Sequence, residues 1–90
     1  MILTLCIPSV DRRFTNEYIR TTLDNTNIGK ICKIKEKNSY TRSDSKKVFV
    51  TMNVDTENEY QRKLLERLEQ GKNIKVMHEE PYYWKMVQCK

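Results

Sequence analysis

Lysines and aromatic rings at every second position are the chemistry this sequence offers. Lys33, Lys35 and Lys37 recur with period two, as do Lys47, Phe49 and Thr51, and Tyr83 and Lys85 repeat the pattern near the end of the chain. Period two is the side-chain repeat of a β-strand, so each set falls on one face. Ammonium groups hold phosphates, and exposed rings stack on unpaired bases. Other chemistries lack their parts. His78 is the only histidine, and Cys6, Cys32 and Cys89 lie far apart with no Cys-x-x-Cys pair. That argues against a zinc site or a disulfide framework, and it suits a reducing compartment inside a cell, cytoplasm or nucleus. The chain has no glycine-rich phosphate loop, no Ser/His/Asp or Cys/His constellation, and no close pair of acids in an apolar setting. The expectation is a binding protein and not an enzyme, with no cofactor, metal or small-molecule substrate.

The charge balance points the same way. The net charge is +5 and the isoelectric point near 9.2, which favours an anionic partner, nucleic acid first. Hydrophobic residues make up 38% and charged residues 32%, a composition that favours a folded domain over a disordered or membrane chain. Ninety residues suffice for a single domain. The apolar opening from Met1 to Ile7 is too short to span a bilayer and reads as a strand, not a signal peptide; no membrane partner is expected.

The elements that must position these side chains follow from periodicity. Residues 2–7 read as a strand broken by Pro8, Ser9 and Asp11. Thr15 can cap a first helix with Phe14, Ile19 and Leu23 on its apolar face, ended by residues 24–27. Residues 31–37 form a second strand, with Cys32 and Ile34 on one face and the lysines on the other, and residues 38–46 form a polar loop. Residues 47–54 are the clearest strand: Val48, Val50, Met52 and Val54 point one way, and Phe49, Thr51 and Asn53 the other. Thr56-Glu57-Asn58-Glu59 reads as a capping box opening a second helix, with Tyr60, Leu64, Leu65 and Leu68 as its stripe and Gly71 after it. Residues 74–76 read as a short extra strand, 79–81 as a turn, and 82–89 as the final strand, with Trp84 and Met86 on its core side.

This order is β-α-β-β-α-β, the α+β ferredoxin-like arrangement, with a four-stranded antiparallel sheet and two helices on one face. The other sheet face stays open. Alternation assigns it Thr4 and Cys6, Lys33 and Lys35, Lys47, Phe49 and Thr51, and Tyr83 and Lys85. Arg12, Arg13, Arg42 and Lys46 sit on expected loops within reach of a phosphate. Duller roles exist for each: strand lysines protect edges, and Tyr83 can pack on Tyr40.

Order, length and spacing resemble the RNA recognition motif over almost the whole chain. Leu5-Cys6-Ile7-Pro8-Ser9-Val10 is similar to that family's strand-one signature, and residues 45–52, Ser-Lys-Lys-Val-Phe-Val-Thr-Met, to its strand-three signature. Thr15-x-Glu17-x-Ile19, Asn27-Ile28-Gly29-Lys30-Ile31 and Gly71 match in support. The sequence departs from the pattern where Cys6 and Lys47 replace aromatics and Lys46 replaces a glycine, so Phe49 is the one aromatic kept at a stacking position. The ending Pro81-Tyr82-Tyr83-Trp84-Lys85-Met86 also looks like compact RNA-recognition-like proteins of large double-stranded DNA viruses. The resemblance implies a single-stranded RNA-binding module working through the open face. Loss of the other aromatics leaves open a protein-interaction module that buries Phe49 and Tyr83 in a partner or a second copy. Net charge alone would also allow a DNA-associated packaging protein.

Overall fold

The structure, a computed structural model, describes residues 1–38, 44–79 and 82–88. Tyr40, Arg42, Pro81 and Cys89 lie outside the described residues, as does the side chain of His78. The chain folds as β1 (Ile2–Asp11), α1 (Asn16–Asn25), β2 (Lys30–Asn38), β3 (Ser45–Asn53), α2 (Glu59–Glu69), β4 (Ile74–Glu79) and β5 (Tyr82–Gln88). It is a small α+β protein with two helices and one antiparallel five-stranded sheet, ordered β2-β3-β1-β5-β4.

Five strands replace the expected four. The segment read as a short extra strand runs from Ile74 to Glu79 and pairs along β5, with Ile74 opposite Met86 and Val76 opposite Trp84. All four side chains are buried, so this hairpin extends the core and is not an appendage. Trp84 packs edge-on against Phe14 and Tyr18, at centroid distances of 5.8 and 6.2 Å.

One face of the sheet is covered by both helices. Leu3, Leu5 and Ile7 of β1 and Val48, Val50 and Met52 of β3 meet Ile19 and Leu23 of α1 and Leu65 and Leu68 of α2 in a single core. Two bulges keep this arrangement. β1 does not stop at Ile7: it runs on to Asp11 through a bulge in which Pro8 and Ser9 together take one place between the pairs Ile7↔Val48 and Val10↔Lys46. Proline lacks an N–H and is tolerated in a strand at such a site. In β2, Ile31 pairs with Met52 and Lys33 with Thr51, which leaves Cys32 as the extra residue. Cys32 is therefore exposed and does not share the inner face with Ile34. The bulge lets Ile31 and Ile34, three apart, both turn toward the core.

The helix starts differ in how legible they were. Thr15 caps α1 as expected, its Oγ1 accepting from the Tyr18 N–H at 3.1 Å. In α2 the cap is Asn58 and not Thr56: its Oδ1 accepts from the Gln61 N–H at 3.1 Å, while Gln61 Oε1 accepts from the Asp55 N–H at 2.8 Å. Tyr60 lies in the first turn of α2 and is exposed, while Leu65 and Leu68 are the buried pair. Gly71 closes α2 with φ +79, a conformation that costs glycine little. Gly29 admits β2 alongside β3, since a Cβ there would stand 3.0 Å from the Asn53 carbonyl oxygen.

Val50 has no exposed surface and lies at the middle of the core. Val50→Asp would bury an unpaired carboxylate, a penalty of several kcal/mol against a total stability of about 5–15 kcal/mol. The expected outcome is loss of a cooperative urea transition, read by circular dichroism.

Candidate nucleic-acid interface

Alternation along the bulged strands decides what reaches the open face. Its central row runs across four strands in register: Lys35 beside Phe49, Phe49 beside Cys6, and Cys6 beside Val87. The next row sets Lys33 beside Thr51 and Thr51 beside Thr4, whose hydroxyl oxygens are 3.3 Å apart and share one hydrogen bond. Each hydroxyl keeps capacity to donate or accept elsewhere. On the far hairpin, Lys75 pairs with Lys85 and Met77 with Tyr83.

All nine residues assigned to this face from the sequence lie on it. Phe49, Thr4, Cys6 and Thr51 are half-buried. Lys33, Lys35, Lys47, Tyr83 and Lys85 are exposed. Tyr83 is 41% exposed and carries the Lys75 ammonium 5.1 Å from its ring centroid. A cation at that distance is attracted by the ring's negative face.

Charges separate by face. Lys30, Lys33, Lys35, Lys37, Lys47, Lys75 and Lys85 all stand on the open side. Among the described residues the acid that pairs into that side is Asp11, at the end of β1, where Arg13 engages it by an ion pair of 3.6 Å and a backbone hydrogen bond of 3.0 Å. Glu17, Asp24, Glu59, Glu66 and Glu69 sit on the helices behind the sheet. The protein thus presents a cationic face and a mixed, acid-bearing back.

Lys46 departs from its expected role as a loop cation. It belongs to β3, is 8% exposed, and points to the helix side. Its Nζ donates to Glu36 Oε1 at 2.6 Å and to the Phe14 carbonyl at 2.5 Å, tying β2 and β3 to the start of α1. It is unavailable to a phosphate. Arg13 lies against Asp11 and over the Phe14 ring at 5.0 Å, so it too has local work. Arg42 lies outside the described residues.

Besides Lys37, which shares the strand face of Lys33 and Lys35, two lysines stand on the open side that the sequence does not assign there. Lys30 pairs with Asn53 and faces outward because the Cys32 bulge reverses parity on its two sides. Lys75 follows from the alternation of Ile74-Lys75-Val76 once the strand runs on to Glu79. Among the described residues no three His, Cys, Asp or Glu side chains come together as a metal site, and no helix is long and apolar enough to cross a membrane. Compared with known proteins, the chain matches no family model, no curated protein and no solved structure.

The Lys46 contacts generate a stability test. Lys46→Ala removes charge-assisted bonds to Glu36 and to the Phe14 carbonyl, each class typically contributing about 1.5–3 kcal/mol. Glu36 is partly solvated, so the low end applies and a loss of roughly 1.5–2 kcal/mol is expected in urea denaturation.

Proposed function

We propose that this protein is a binding module, not an enzyme, and that it holds single-stranded RNA on the open sheet face. The observation that carries this reading is the central row, in which Phe49 lies in register between Lys35 and Cys6 on a face otherwise dominated by lysines. A base stacks on the Phe49 ring, lysines on neighbouring strands take the flanking phosphates, and the Thr4 and Thr51 hydroxyls meet base edges or the ribose 2′-OH. Stacking needs a base free of its helix, which is why a single strand and not a duplex is the ligand. The residues bind and orient; none is asked to form or break a bond.

The segments similar to the two signatures of the RNA recognition motif fall on β1 and β3, direct neighbours with Cys6 opposite Phe49. That adjacency supports an RNA-recognition-like, ferredoxin-like fold with β4 as an addition at its edge. The likeness of the chain's ending to compact viral proteins of this kind extends the same proposal, as does a place in the cytoplasm or nucleus of a cell, or of a host cell.

A second reading has an observation of its own. Ile2 and Met77 are 67% and 53% exposed on the same side as Phe49 and Tyr83, as a protein interface would use them. Face-to-face pairing of two copies would press one lysine field against another, which like-charge repulsion opposes. An anionic ligand meets no such barrier, so RNA is favoured.

Two measurements test this. Replacing two of Lys33, Lys35, Lys47 and Lys85 with Gln should flatten the slope of log affinity against log salt by about 1.4 for a single strand. An unchanged slope removes the pair from the site. Phe49→Ala should weaken binding of mixed-sequence single-stranded RNA by roughly tenfold, given about 1–3 kcal/mol per stacked base, while leaving the thermal transition in place. Unaltered RNA affinity with a shifted oligomer size would instead favour the protein interface.

A further inference from the structure

The seam between β1 and β5 opens beside the β1 bulge. β1 runs to Asp11 and β5 starts at Tyr82, yet among the described residues the two strands pair only at Leu5↔Gln88 and Cys6↔Val87. Past that point Pro8 and Ser9 are both exposed. The gap is a cleft of about 390 Å³ lined by Pro8, Ser9, Tyr83 and Lys85. That volume is at the small end of ligand clefts, fit for one planar group and its substituent.

Two further features aim at the same ligand. Lys75 covers the Tyr83 ring at 5.1 Å, and β4 lies on the side of β5 away from β1, so the ring's other side faces the cleft. Lys75 and Lys85 stand directly opposite each other, and neither has a carboxylate partner among the described residues. Like charges facing across a strand pair oppose pairing, and an anion between them reverses the sign of that interaction.

We infer that this cleft is a nucleotide subsite, distinct from the Phe49 row. A base enters between Pro8 and the free side of Tyr83, Lys75 backs the ring, the Lys75–Lys85 pair takes the adjoining phosphate, and Ser9 offers a hydroxyl to the base edge or sugar. The inference rests on the proposal that the sheet face binds RNA and gives it a second anchor. From Phe49 the subsite is two strands across and four residues along β5, roughly 16 Å. Stacked neighbours are only about 3.4 Å apart, so the two anchors hold bases that are not adjacent.

The test uses the full chain and a mixed-sequence RNA oligonucleotide carrying photoreactive thiouridine, at low salt. Expected are a cross-link mapped by mass spectrometry to Tyr83 or its peptide, a loss of roughly tenfold in affinity for Tyr83→Leu, and retention of affinity by Tyr83→Phe, which keeps the ring. RNA binding with cross-links confined to other strands, and with Tyr83→Leu equal to the unaltered protein, would overturn the subsite and leave the Phe49 reading standing. Failure of the unaltered protein to bind RNA would overturn both. The cross-link is read on the unaltered chain, so the result stands even if the leucine variant misfolds.

Discussion

Burial on one face of the sheet is the constraint from which the rest follows. Two helices can cover only one side, so each strand must turn its apolar side chains that way. Strict alternation would fail in two places. Ile7 and Val10 are three apart, as are Ile31 and Ile34, and an uninterrupted strand would send one of each pair into water. The bulges at Pro8-Ser9 and Cys32 absorb the extra residue and keep both partners inside. A bulge of this kind gives up local ladder pairing, and an aliphatic side chain kept in the core returns about 1.5–3 kcal/mol. The balance favours the bulge.

What the core rejects makes the candidate face. Once Val48, Val50 and Met52 turn inward, Lys47, Phe49 and Thr51 have to turn outward, and the same parity sends Lys33 and Lys35 to their side. Charge segregation is therefore a by-product of folding and needs no separate device. Lys46 is the cation that parity sends inward, and it is neutralised there by Glu36 and bonded to the Phe14 carbonyl. Its position at the end of the core lets it join both strands to the helix start without crowding the apolar middle.

Much of this was written plainly in the sequence. The unbroken alternation of residues 47–54, the Thr15 cap and the pairing of Trp84 with Met86 on the inner face each follow from a local pattern with a single outcome. What escaped was ambiguous locally. Pro8 reads as a stop because proline usually ends a strand, and only the buried Val10 beyond it reveals the bulge. Lys46 reads as a loop residue because the polar run hides the first two positions of β3, which starts at Ser45; parity with Val48 turns it inward. Thr56 and Asn58 are both good caps, and Gln61, which reaches back to the Asp55 N–H, decided between them. Of the candidate face, the assigned residues were legible from period two alone, whereas Lys30 required knowing about a bulge that has no signature except two isoleucines three apart.

On the proposed function, ligand binds the sheet and leaves the helices alone. This is tested most directly by following backbone amide resonances of isotope-labelled protein during titration with mixed-sequence single-stranded RNA. Binding at the proposed site shifts Lys35, Phe49, Cys6 and Val87 most, spreads to Tyr83 and Lys85, and leaves the outer positions of α1 and α2 unmoved. Shifts centred on the helices, or no shifts at low salt, would contradict it.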